Sequence, residues 1–243
     1  MTINRRELLV AAAGAGLVAT TSASARDLTR GNSAGHVVLL GDSIFDNKKY
    51  VGSKPAVIDQ LRAALPNGWK ASLLAVDGSV TRDVAGQTAR IPSDATHLVV
   101  SVGGNDALGE ARILSKRVSM STEVFLELAR IRDEFEKQYD KMLASVLAHN
   151  KPTVLCTVYD PNFSQALQQR VSKAGLTVFN DCITRAVGRR SIPLLDLRLL
   201  FTDREDYANP IEPSPVGGAK IVRQIRSIVT NHDFSQKQSV VFA

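Results

Sequence analysis

Histidine is scarce in this chain, with four residues in 243, and cysteine is scarcer, with two. Two cysteines close at most one bridge, so a disulfide scaffold is excluded. Cys156 lies in an apolar run and Cys182 in a helical stretch; one bridge or two buried thiols both fit. No loop sets His, Cys, Asp or Glu at metal-ligand spacing, so neither a metal nor another cofactor is expected. Aromatic residues make up only 5%. They form no stripe interleaved with basic residues, which fall in scattered pairs (Lys48-Lys49, Lys116-Arg117, Arg189-Arg190). The net charge of +6 therefore reads as a solvated surface, and no nucleic-acid partner is expected. Internal repeats and low-complexity linkers are also lacking, which favours a single large domain.

Long hydrophobic runs are lacking too. The longest opens the chain, where a twin arginine (Arg5, Arg6) precedes an apolar stretch from Leu8 to Thr20 and then Ala23-Ser24-Ala25. A basic region, a short apolar region and an A-x-A site together read as an export signal over residues 1–25, of the twin-arginine kind. The stretch is shorter than the roughly 20 residues that span a bilayer, so no stable membrane insertion is expected. No cysteine sits at the cleavage site, which argues against a lipid anchor. The expected product is a domain over residues 26–243, periplasmic or secreted, whose first partner is the export machinery.

What the chain does have is short apolar runs: "HVVLL" (36–40), "SLLAV" (72–76), "HLVVSV" (97–102), "TVLCTVY" (153–159) and "IPLLDL" (192–197). They are continuous rather than alternating, as in parallel strands buried on both faces. Helical periodicity separates them. It is clearest over 121–149, where Phe125, Leu128, Phe135, Tyr139, Met142 and Val146 recur at three-, four- and seven-residue spacings. Further helices are expected near 55–65, 80–90, 163–187 and 215–230. Alternating strands and helices predict an α/β fold, a three-layer α/β/α sandwich. Residues 26–35 and 231–243 read as loose ends.

In such sheets functional loops follow the carboxyl ends of strands. "GDS" (41–43) follows the first strand and offers Ser43 on a tight turn near a helix start, where backbone N–H groups can face an oxyanion. "VDGS" (76–79) follows the second; Gly78 lets a bare backbone N–H approach a ligand. "GGND" (103–106) follows the third and offers the Asn105 side-chain amide. Each alone is equally a turn or a cap.

Together, in this order, the three blocks resemble those of the SGNH hydrolases, the GDSL esterase/lipase family. The resemblance covers residues 36–230. It implies a flavodoxin-like, five-stranded parallel sheet of order 2-1-3-4-5. It also implies a Ser43 nucleophile and an oxyanion hole built from the N–H groups of Ser43 and Gly78 and the side chain of Asn105. The family's last block, D-x-x-H-P-S, falls on Asn209-Pro210-Ile211-Glu212-Pro213-Ser214. Its acid and its histidine are replaced by Asn209 and Glu212.

None of the four histidines is expected to compensate. His36 and His97 open strands, His149 precedes one, and His232 follows the last helix, all at the face opposite Ser43. Glu212 is then the candidate base, with the Asn209 amide as a donor to orient it. A carboxylate is a weak base at its reference pKa of about 4.3, so either burial raises that value or the enzyme works at acidic pH. A merely structural role for Glu212, or a pairing with Arg204, stays open. Asp46 and Asp206 are further candidate orienters. Two functions follow. One is a serine esterase acting on a small-molecule, glycan or lipid ester. The other is a catalytically impaired protein that binds an acyl or glycan ligand on the same fold. The stretch 107–122 is a candidate lid or substrate-selecting loop.

Overall fold

The computed structural model describes residues 34–236 and 238–243. The expected signal, residues 1–25, lies outside them. The elements run β1 (His36–Gly41), α1 (Lys48–Val51), α2 (Val57–Ala64), β2 (Lys70–Leu73), α3 (Val84–Thr88), β3 (His97–Ser101) and α4 (Gly104–Gly109). They continue with α5 (Ser121–Leu147), β4 (Thr153–Cys156), α6 (Ala166–Arg190), β5 (Leu194–Leu195), α7 (Leu197–Leu200), α8 (Pro215–Asn231) and β6 (Val241–Phe242). All neighbouring strands pair in parallel, in the order β2-β1-β3-β4-β5-β6.

The continuous apolar runs are explained by burial from both sides. Every residue of β1 and of β4 is buried. Alternate residues of β1 enter different cores. Val37 and Leu39 pack with α2 and α8, through residues such as Leu61 and Ile221. Val38 and Leu40 pack with α3, α5 and α6, through Val84, Leu143 and Ile183. Cys156 and Cys182 are free and buried.

Two local expectations are corrected. The chain end is not loose, because Val241 and Phe242 pair with Leu194 and Leu195 as a sixth strand; a strand of two residues leaves no periodic trace in the sequence. Phe125 is 69% exposed despite its core-like spacing. The buried residues of α5 begin at Ile131, so the first turns of the helix carry the apolar pattern without a core to meet.

The order of strands reverses at β1, which lies between β2 and β3. A crevice at the carboxyl ends is expected at such a switch point, and β1 ends there at Gly41. Gly41 has φ 127°, and a Cβ placed on it would lie 1.8 Å from the Ser101 carbonyl oxygen on β3. Glycine is therefore required on both conformational and steric grounds.

Candidate active site

The turn after β1 delivers Ser43. Phe45 and Asp46 donate their backbone N–H groups to the Asp42 carbonyl at 3.2 and 3.1 Å, which closes a tight turn with the serine at its start. Gln87 grips this turn from behind. It accepts from the Gly41 N–H at 2.7 Å and donates to the Gly41 carbonyl at 2.8 Å. It also donates to Ser79 in the loop after β2, at 3.3 Å. Exchanging Gln87 for Met should leave the Gly41 N–H buried and unpartnered. The expected loss is about 2–3 kcal/mol, read by urea unfolding.

The last block reaches Ser43 from the other end of the chain. Residues 207–213 form a short hairpin, bridged at Tyr207 and Pro213 and closed by the Ala208 N–H on the Glu212 carbonyl at 2.9 Å. The Tyr159 hydroxyl donates to the Ile211 carbonyl at 2.8 Å, with its ring stacked on Phe201. Asn47 donates to the Pro213 carbonyl at 3.1 Å and accepts from the Val57 N–H at 2.9 Å, tying the hairpin to the serine loop. Beyond it, Ser214 caps α8 through the N–H groups of Val216 and Gly217, with Pro215 in the first turn.

This frame brings Glu212 to the serine. The Ser43 hydroxyl donates to Glu212 Oε1 at 3.0 Å; the two residues are 7% and 4% exposed. Glu212 Oε2 is buried with no hydrogen-bond partner among the described residues. Burial pushes the Glu212 carboxyl up to about 7. The hydrogen bond from Ser43 opposes that shift, the charge of Asp77 adds to it, and Lys49 opposes it. A carboxylate with this value is a usable base at neutral pH.

Asn209 does not serve as the expected donor to that carboxylate. Its side-chain oxygen accepts from the N–H groups of Ile211 and Glu212, at 3.0 and 3.1 Å. That is an Asx-type turn, which shapes the backbone carrying Glu212. Asp46 and Asp206 lie outside the pair as well. Asp46 accepts from the Asp77 N–H. Asp206 accepts from Thr202 and Asp203 and pairs with Lys220.

The oxyanion candidates sit at the ends of β2 and β3. Gly78 is at a turn with φ 83°, held by the Ser79 N–H on the Val76 carbonyl. The Asn105 amide donates to the Ser79 carbonyl at 2.9 Å, so it joins the two loops and keeps a second N–H to give. Ser43 and Asn105 line one cavity with Glu212, whereas Gly78 does not line it. The four histidines are elsewhere. His36 bonds Asp94 and Ser72. His97 stacks on Trp69, and His232 packs against Phe234 and Phe242. None of the four, His149 included, lines the cavity.

Asp42 is a second buried carboxyl in the same cavity. Burial first, then the charges of Glu212 and Asp106, push it up to about 8, against the Ile44 N–H it accepts. Because its folded value exceeds the ordinary 3.8, its contribution to stability is full below about pH 4. That contribution is lost as the pH rises towards about 8. Asp42→Asn should therefore melt several degrees above the wild type at pH 8–9, and the difference should close towards pH 4 (about 2–4 °C per kcal/mol for a chain this size). Thermal melts across this range check it.

Among the described residues no group of three or more His, Cys, Asp or Glu side chains could hold a metal ion. No helix among them is long and apolar enough to cross a membrane. The GDSL-like Lipase/Acylhydrolase family model matches residues 39–219. No curated protein sequence matches the chain. Solved structures share its fold. An extracellular lipase from Streptomyces rimosus superposes with a TM-score of 0.61 at 16% identity, over 82% of this chain and all of that one. A phospholipase A1 from Streptomyces albidoflavus gives 0.57 at 19%, over 79% and 98%. A member of the lipolytic G-D-S-L family from Veillonella parvula gives 0.58 at 14%, over 82% and 98%.

Proposed function

The chain belongs to the GDSL-like lipase/acylhydrolase family, and from that membership and the geometry of its site we propose an exported ester hydrolase in which a glutamate replaces the usual histidine. The observation that carries the proposal is the 3.0 Å hydrogen bond from Ser43 to Glu212 Oε1, made by a carboxyl that burial holds near neutrality. Export rests on the leader read in residues 1–25.

The steps follow from the groups present. Ser43 Oγ attacks the ester carbonyl as its proton passes to Glu212 Oε1. The Ser43 N–H and the free N–H of the Asn105 amide face the developing oxyanion; Gly78 does not line the cavity. Among the described residues nothing accepts from the Ser43 N–H, so it remains free to donate. The tetrahedral adduct collapses, the ester C–O bond breaks, and the leaving alkoxide takes the proton from Glu212. A water, deprotonated by the same carboxylate, then cleaves the acyl-serine and restores the site.

One observation favours the alternative, a protein that binds its ligand without turnover. Among the described residues Glu212 Oε2 has no hydrogen-bond partner to orient it, where a base is usually held by a third group. Fluorophosphonate labelling of the wild type against Ser43→Ala separates the two. Labelling confined to the wild type, with turnover of small aryl esters between about pH 4 and 9, supports the hydrolase. An inert wild type that gains turnover only as Glu212→His with Asn209→Asp supports the binding protein.

A further inference from the structure

The geometry points to a medium-length, unbranched acyl chain as the part of the substrate that this site encloses. The inference rests on the hydrolase reading and extends it to substrate class. The cavity that opens at Ser43 measures about 190 Å³. Asp42, Ser43, Asn105 and Glu212 line its reactive end. Away from that end the walls are mainly apolar. Ile113 comes from the segment after α4, Leu128 and Ile131 from α5, and Val171, Leu176 and Phe179 from α6.

Glu110, Gln168 and Ser172 also line the cavity, but Glu110 is turned towards Arg112 and Arg130. A sugar ring needs a polar partner for nearly every hydroxyl it buries, and a few polar side chains among mainly apolar walls are too few for that. An alkyl chain needs none. A dry cavity of about 150 Å³ holds a benzene-sized guest, so this one holds a chain of roughly six to eight carbons.

Gly175 accounts for part of the room. It lies within α6 and lines the cavity. A Cβ added there would meet nothing within 4 Å. Glycine inside a helix is unfavourable by about 1 kcal/mol relative to alanine, so the open wall is kept against the helix's own preference. Leucine at this position should fill the cavity while strengthening the helix. A change in chain-length preference could then not be ascribed to poor folding.

The test is kcat/KM for p-nitrophenyl esters from acetyl to dodecanoyl, in the wild type and in Gly175→Leu. Each methylene that enters should raise kcat/KM about threefold, levelling off near six to eight carbons. Gly175→Leu should cut the octanoyl-to-acetyl ratio about tenfold or more and melt no lower than the wild type. A flat series, a preference for acetyl, or an unchanged ratio in Gly175→Leu overturns the acyl pocket and leaves the hydrolase standing. The second arm is calorimetric binding of octanamide to Ser43→Ala, with and without Gly175→Leu. If no ester turns over but octanamide binds and Gly175→Leu weakens it, the pocket stands and the hydrolase fails. If octanamide does not bind, the pocket is wrong.

Discussion

Glu212→Gln should lower kcat for a small aryl ester by about 10³-fold, with KM little changed. Glutamine keeps the shape of the side chain and can still accept from the Ser43 hydroxyl, but it cannot take the proton. General-base catalysis contributes typically 10²- to 10⁴-fold. A loss well within that range is expected because no histidine lines the cavity to substitute for Glu212. KM should hold because, among the described residues, the Glu212 side chain has a single hydrogen-bond partner, Ser43. Removing a buried carboxyl whose value is raised to about 7 should also make the variant the more stable protein at alkaline pH, by the sign worked out for Asp42. A folded, stabilised and inactive variant is thus the expected result. Steady-state kinetics with a thermal melt on the same sample check it.

Gly41→Ala should have the largest effect on folding. The added Cβ would meet the Ser101 carbonyl oxygen at 1.8 Å, and φ is 127°. The clash is with backbone at the centre of the sheet, where β1 pairs Gly41 with Ser101, so no side chain can swing away. A loss beyond about 4 kcal/mol is expected, which exceeds what many domains can spare. The variant should be recovered mainly as insoluble protein. Gly109→Ala is the control: its Cβ would meet nothing within 4 Å, and that variant should fold as the wild type does.

Residue type carried much of this design and long-range contact carried the rest. The strands were legible because burial on both faces demands unbroken apolar runs. Ser43 and Asn105, which line the cavity, each follow such a run; Gly78 follows one too but does not line it. Glu212 was legible as a substitution within a retained frame. Gln87 and Asn47 were not. Each acts through partners far along the chain, 46 residues from Gln87 to Gly41 and 166 from Asn47 to Pro213. Nothing local distinguishes them from surface amides. The side-chain chemistry of Asn209 suggests a donor matched to an acceptor. The backbone chose otherwise, because two N–H groups in its own turn lie closer to hand.

The central claim is that Glu212 takes the proton of Ser43. The most direct measurement is the rate at which a fluorophosphonate labels Ser43, followed from about pH 4 to 9, in the wild type and in Glu212→Gln. The wild-type rate should rise through an inflection near 7, the value to which burial lifts Glu212, and the inflection should vanish in a slowly labelled variant. A rate independent of pH, or one that Glu212→Gln leaves unchanged, would contradict it.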